Sequence, residues 1–428
     1  MRKYLIIWFG EVVSTVGSAL TSFALGVWIY ERTGSVSLFS LNLLVYAVLG
    51  LAMMPLAGVA ADRWNRKWVM LVADAGLGVV TLVVFLLAAS DQLQIWHVYC
   101  LTGVSAALGT FQWPAYKALI PQIVPKAQLG RASGLSQVGD ALAELFGPTV
   151  AGSLYVLSGV GLNGILLIDF VTFLFATAIL LLVSIPRQTI TLPAGQKRAS
   201  VFQDFHQGWL YITERPGLVG LLVYFLIFNF FLELIYPLAL PLLYQVGMPD
   251  AAGQAMSIMA VGMLVGIAGM GVWGGPRRRI HGILIPGILS GLAIAVAGLQ
   301  PSLVLITLGG FGYYALLPIS QGSDQALWQT KVAPEVQGRV FAIRSAITYS
   351  VRPLALLLAG PLADNLFEPL MSAGGGLAGT FGPIFGVGPG RGLGLLITLL
   401  GLLSAAAALS AYFFPRIRRV EADLPDVV

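Results

Sequence analysis

The chain has 428 residues, 57% of them hydrophobic and only 10% charged, with a formal net charge of +5. Soluble globular proteins carry about 25% charged residues, so this composition cannot clothe a water-facing surface. It excludes a soluble enzyme and implies a polytopic membrane protein.

A single cysteine, Cys100, leaves no internal disulfide or cysteine-built metal site. Three scattered histidines (His97, His206, His281) offer no zinc centre, so neither metal nor cofactor is expected.

A bilayer crossing takes roughly 20 mostly apolar residues. Taken in chain order, such runs fall at 4–30, 36–61, 68–90, 95–117, 131–157, 164–185, 217–244, 251–274, 282–299, 303–328, 339–362 and 392–414. The first follows Met1-Arg2-Lys3 and is too long for the apolar core of a signal peptide; it reads as a retained helix with its N-terminus inside. Of the 24 lysines and arginines, Arg32 and Arg391 fall outside and Arg352 within a span, and the rest lie at cytoplasmic ends, loops or tails. The positive-inside rule asks for this distribution. Twelve crossings return the C-terminus to the cytoplasm. The excess positive charge is thus topological, and no nucleic acid partner is expected.

The polar stretch 186–216 reads as a cytoplasmic linker between two six-helix halves, 1–185 and 217–414, with a cytoplasmic tail at 415–428. Its amphipathic piece, Val201 to Ile212, either lies on the membrane surface or is a solvated connector. The halves echo one another. Pro125-Lys-Ala-Gln-Leu-Gly-Arg131 precedes the fifth span and Pro334-Glu-Val-Gln-Gly-Arg339 the eleventh, and each span then carries a Gly-Pro (Gly147-Pro148; Gly360-Pro361). Gly58 to Lys67 is matched after the eighth span by Gly271 to Arg279. Such repeats imply an all-α membrane protein whose twelve transmembrane helices form two pseudo-twofold six-helix bundles, a transporter design with its substrate site where the halves meet.

The segment Gly58-x-x-x-Asp62-Arg63-x-x-Arg66-Lys67 resembles the loop 2–3 signature of the major facilitator superfamily, and with the spans and the repeat the resemblance covers essentially the whole chain. Within the superfamily it is similar to the drug:proton antiporter-3 group, which contains macrolide and enterobactin exporters. It also resembles bacterial exporters found beside nonribosomal-peptide synthesis genes, through Gly17 to Tyr30, Phe111-Gln-Trp-Pro-Ala115, Val336 to Phe341, Leu358 to Asp364 and Gly386 to Gly392. Two features depart from the pattern. The superfamily's helix-four signature centres on an arginine, whereas Lys117 is the only cation of the fourth span. The helix-five motif expects paired glycines after Gly-Pro, and Gly147-Pro148-Thr-Val-Ala-Gly152 keeps one.

The resemblance implies that Gly58, Asp62, Arg63, Arg66 and Lys67 form a cytoplasmic latch, although a basic loop that only sets topology would look the same. Ionisable groups inside a membrane cost at least about 2.5–3.5 kcal/mol each on insertion scales, so each is a functional candidate. Glu11, Asp140, Glu144, Asp169, Glu233 and Asp324 are the carboxylates considered, and Arg352 lies mid-span. The family implies that helices one, four, seven and ten line the cavity, which favours Glu11, Glu233 and Asp324 as proton carriers. Asp140 and Glu144 are four apart on one helix face, where a proton or a cation has to relieve their repulsion. Aligning the two Gly-Arg pairs makes Glu144 and Arg352 equivalent positions, so Arg352 is expected to be the counter-charge of a carboxylate. Lys117 either pairs with Asp324 or snorkels to the interface. Tyr116, Tyr236, Tyr313 and Tyr314 combine rings and hydroxyls suited to an amphiphilic substrate.

The glycine-rich outer stretch 364–391 is expected either to cap the exit or to be an unstructured connector. No Gly-x-x-x-x-Gly-Lys-Ser/Thr loop is present, so no nucleotide is expected. The expected function is secondary active transport of a small amphiphilic molecule out of a bacterial cytoplasm in exchange for protons. The expected actor is a monomer in the cytoplasmic (inner) membrane whose partners are substrate, protons and lipid. An importer or facilitator of the same fold, or a non-transporting membrane sensor or assembly protein, are the alternatives.

Overall fold

The computed structural model describes residues 1–125, 128–156, 160–184, 201–246 and 249–427. The first half is built from α1 (Arg2–Thr33), α2 (Val36–Arg63), α3 (Arg66–Ala89), α4 (Ile95–Ile123), α5 (Leu129–Val156) and α6 (Gly161–Leu182). There follow α7 (Val201–Thr213), α8 (Pro216–Val246), α9 (Pro249–Trp273), α10 (Arg279–Leu299), α11 (Leu303–Lys331), α12 (Pro334–Ser350) and α13 (Arg352–Pro361). A π-helical turn (Leu362–Phe367) leads to α14 (Glu368–Met371), then come α15 (Ala378–Phe385), α16 (Arg391–Phe413), α17 (Pro415–Arg418) and α18 (Val420–Asp423). No strand occurs among the described residues, as expected where lipid offers the backbone no hydrogen bonds.

Helix boundaries follow local chemistry. Gly34, in the left-handed region at φ 62°, ends α1, and the Ser35 side chain accepts from Leu38 N–H to start α2. Asn65 caps α3 by accepting from Lys67 N–H at 3.1 Å, and Ser302 caps α11. These side chains satisfy N–H groups that the first helical turn leaves open.

Among the described residues, ten helical stretches are long and apolar enough to cross a membrane. Helices α4 and α5, of 29 and 28 residues, have the length, but polar groups such as Gln112, Lys117, Asp140 and Glu144 dilute their apolar runs. Two expectations need correction. The eleventh span is not one unbroken helix: it divides at Val351, ahead of Pro353, and continues through the π-helical turn to Met371. The fourth continues past residue 117 to Ile123.

The chain divides into two units, 1–193 with 249–257, and 194–248 with 258–428. In the first, α1 packs on α5 and α6, and α3 on α4 and α6. In the second, α8 packs on α13 and α16, and α10 on α11 and α16. The order of pairing is the same, so the sequence repeat is also a repeat of packing. One close backbone approach joins α10 to α16. A Cβ on Gly291 would lie 2.5 Å from Ala405 N, and one on Gly401 2.6 Å from Ala295 N. Gly298 and Gly394 repeat the contact two turns away, the small-residue packing that lets membrane helices touch backbone to backbone. Elsewhere large apolar side chains point outward, Leu182 being 85% and Phe413 68% exposed, a surface that only lipid makes tolerable.

Helix α7 is neither a bare connector nor a membrane-surface helix standing alone. It packs on α12 and α8 of its own unit. Tyr211 Oη donates to Lys331 O and accepts from Ala333 N, and Ile212 is fully buried. The rest of the expected linker, 185–200, lies outside the described residues. The stretch 364–391 is likewise folded: the Glu368 carboxylate accepts from Gly390 N–H at 3.1 Å and Leu393 N–H at 2.9 Å, capping α16. Gly386, Gly388 and Gly390 adopt φ of 82°, 120° and 78°, which explains the glycines of the Gly386–Gly392 segment. Phe385, Met371 and Leu395 pack beneath it.

Candidate functional site

In the first unit α1, α4 and α5 line a small cleft. Trp8, Glu11, Val12 and Thr15 line it from α1, at the 3–4 spacing that puts side chains on one helix face. Gln112, Trp113, Tyr116 and Lys117 line it from α4, and Ser136 and Gly139 from α5. The α1–α5 wall is fixed by Trp8 Nε1 donating to Leu135 O at 2.7 Å and Tyr4 Oη donating to Ala132 O at 2.6 Å. Gly139 and Gly147 let these helices approach: a Cβ on Gly147 would sit 2.5 Å from Ala19 Cβ.

Polar groups converge at the base of the cleft. Gln112 Nε2 donates to Glu11 Oε2 at 2.9 Å and also to Asp74 Oδ1 of α3. Glu11 is 9% exposed and Asp74 fully buried, yet among the described residues Glu11 Oε1 and Asp74 Oδ2 have no hydrogen-bond partner. Among the described residues neither carboxylate has an ion-pair partner. Lys117 Nζ instead lies over the Trp113 ring, 3.5 Å from its centroid, a cation–π contact. A third buried carboxylate, Asp169 of α6, accepts from Thr81 Oγ1 at 3.2 Å, which ties α6 to α3.

In the second unit, two of the carboxylates singled out from the sequence form ion pairs. Arg352, at the start of α13, meets Glu233 of α8, and Arg344 of α12 meets Asp324 of α11, with Trp328 beneath the guanidinium. The counter-charge expected of Arg352 thus falls to Glu233. Of the four singled-out tyrosines, Tyr116 lines the cleft. Tyr313 and Tyr314 meet edge to face with centroids 5.1 Å apart, and Tyr236 is exposed.

In the Gly58–Lys67 segment, Lys67 Nζ donates to Val183 O at 2.8 Å and Leu181 O at 3.2 Å, so it neutralises the carbonyl end of α6. Arg66 lies against the Gln122 amide at the end of α4. Gly58, Asp62 and Arg63 fall on α2 and Asp140 and Glu144 on α5, but their side chains lie outside the described residues. Pro148 is within α5, and Gly152 is buried.

Three groups escaped the sequence reading. Asp74 was open to view as the one carboxylate in the apolar run 68–90. Arg344 sits one helix turn beyond Arg339, where it passes for another topological cation. Gln112 carries no charge, and it entered the sequence reading only inside the Phe111–Ala115 segment, with no role assigned.

Comparison with known proteins follows the same line. The family model described as Major Facilitator Superfamily matches residues 7–356. Macrolide efflux protein A of Streptococcus pyogenes is 29% identical over 383 residues, 85% of this chain and 90% of that protein. Multidrug efflux pump Tap of Mycobacterium tuberculosis is 26% identical over 380 residues, 84% and 86% of the two chains. In fold, the chain superposes on the inward-facing, unoccupied bacterial homologue of the lysosomal transporter Spinster with a TM-score of 0.71 at 16% identity, covering 100% and 98% of the two chains. A D-xylose–proton symporter gives 0.68 at 14% identity, covering 99% and 98%.

Proposed function

This chain belongs to the major facilitator superfamily of membrane transporters, and on that footing we propose that it exports a small amphiphilic molecule from a bacterial cytoplasm in exchange for entering protons. The reading takes the two units as bundles that rock about a central site and expose it to each side in turn. It places both termini and the Gly58–Lys67 segment in the cytoplasm, the chain in the inner membrane as a monomer, and Asp62, Arg63, Arg66 and Lys67 in a latch that holds one state. No covalent chemistry is involved.

One observation carries it: Glu11, nine-tenths buried, stands on the wall of a cleft lined by Trp8, Trp113 and Tyr116. Such a group is shielded from water yet within reach of whatever fills the cleft, and membrane carboxylates so placed mark substrate and proton paths. The rings offer an apolar body its surface; Glu11 and Lys117 offer its polar groups theirs. Two relatives that this chain matches over most of its length are named for efflux, which puts macrolides first among compounds to try.

The test is accumulation of labelled macrolides and amphiphilic dyes in bacterial cells with and without the protein. Export predicts less accumulation on expression, restored by a protonophore. Raised accumulation would point to import, and no change across the panel, with the protein present in the membrane, contradicts transport of this class.

A further inference from the structure

We infer that Glu11 and Asp74 form one proton-binding site, held together by Gln112, and that this shared site carries the exchanged proton. The inference rests on the proton-coupled reading above and names the groups that execute it.

The geometry is specific. Gln112 has a single NH₂ group, and its two hydrogens are spent on Glu11 Oε2 and Asp74 Oδ1. The amide therefore binds the two carboxyl groups into one cluster spanning α1, α4 and α3. Two full negative charges on either side of one amide, out of water and with no cation paired to either among the described residues, would repel strongly. A proton on one of the pair removes that repulsion without disturbing either amide hydrogen bond. The oxygens free to take it are Glu11 Oε1 and Asp74 Oδ2, both buried and both without a hydrogen-bond partner among the described residues.

The two carboxyls differ in access. Glu11 lines the cleft and Asp74 does not. A proton thus enters and leaves through Glu11, and Asp74 holds the alternative position. The step is a bare proton transfer: water on one side delivers a proton to a carboxylate oxygen, and water on the other side removes it. A substrate seated against Glu11 excludes that water and presses its own polar group on the carboxylate, so occupancy and protonation oppose each other. Exchange needs that opposition.

Other charged or titratable groups face this site. Tyr116 and Lys117 share the cleft from α4, Tyr4 lies one helix face along α1, and Asp169 of α6 reaches α3 through Thr81. On α5, Ser136 and Gly139 face the cleft. Their presence makes the titration of the pair, rather than of transport alone, the decisive readout.

The experiment is an infrared titration of the carboxyl C=O band in the purified full-length protein, comparing wild type with Glu11→Gln, Asp74→Asn, the double variant and Gln112→Leu. A shared proton predicts that each single substitution removes or displaces the same titrating band and that the double variant loses no more than either single. Gln112→Leu keeps both carboxyls and still abolishes the shared titration, so the test survives poor folding of a carboxyl variant. Separate bands lost additively, or a band indifferent to all three positions, would overturn the inference. In proteoliposomes, Asp74→Asn is further expected to lose pH-gradient-driven accumulation of a macrolide while keeping macrolide counterflow. Should wild type ignore the pH gradient, the coupled-export reading fails while the infrared result stands by itself.

Discussion

Arg352 Nε lies 3.3 Å from Glu233 Oε2, and this contact joins the start of α13 to the middle of α8. The guanidinium is 38% and the carboxylate 19% exposed, and the approach is an ion pair in distance rather than an aligned hydrogen bond. A partly open pair of this kind adds little to stability, about 1 kcal/mol at most. Its position on two helices of one bundle, at the break between α12 and α13, ties the broken span to α8.

Glu233→Gln is accordingly expected to leave the melting temperature in detergent nearly unchanged and to lower substrate efflux markedly. Exchanging the charges, Glu233→Arg with Arg352→Glu, should recover part of what each reversal loses. Efflux equal to wild type in Glu233→Gln would remove this residue from the mechanism.

The Asp324–Arg344 pair behaves differently because Asp324 is almost entirely buried. Asp324→Ala leaves Arg344 without its counter-charge, at a cost of about 3–5 kcal/mol. Thermal unfolding should show a large drop, with Arg344→Lys intermediate. A melting temperature within error of wild type for Asp324→Ala would mean that the pair is not maintained in the folded protein.

Gly291→Leu should disrupt the α10–α16 contact, since the new Cβ would lie 2.5 Å from Ala405 N and 2.7 Å from Gly401 O. Loss of a single symmetric peak in size-exclusion chromatography is the expected result. Gly269→Ala, where a Cβ meets nothing within 4 Å, should be neutral or gain up to about 1 kcal/mol from helix propensity. If both variants elute as wild type does, the close crossing is not a requirement of the fold.

The C-terminal tail is docked on its own unit. Lys331 Nζ donates to Glu421 O at 2.7 Å and Leu424 O at 2.6 Å and pairs with Asp426 at 2.7 Å. The Glu421 carboxylate accepts from Arg279 and Ile280 N–H at 2.8 and 3.0 Å, capping α10. Glu421→Ala should cost about 1 kcal/mol, and Lys331→Ala should speed carboxypeptidase trimming of the tail. Trimming at the wild-type rate would argue against docking.

Much of the fold could be read directly, because an apolar run of membrane length has few alternatives and lysines and arginines report which side a loop lies on. Glu233 and Arg352 each stood out as a charge in an apolar run, and the repeat pointed to a partner for Arg352, but no local pattern joins residues so far apart. Glycine density in 364–391 left an exit cap and an unstructured connector equally open. The structure uses four of those glycines, Gly374, Gly386, Gly388 and Gly390, at positive φ and spends Glu368 on capping α16. Gln112 marks the limit of sequence reading: its importance comes from the two carboxylates at its amide, and only packing brings α1, α3 and α4 together.

The most direct test of the whole account is uptake of a labelled macrolide into inside-out membrane vesicles containing the protein, with an acidic or a pH-matched interior. The account predicts accumulation above the external concentration when the interior is acidic, abolished by a protonophore and absent in vesicles carrying Glu11→Gln with Asp74→Asn. Equal uptake at both interior pH values, with the protein folded and a macrolide demonstrably bound, would contradict proton-coupled export.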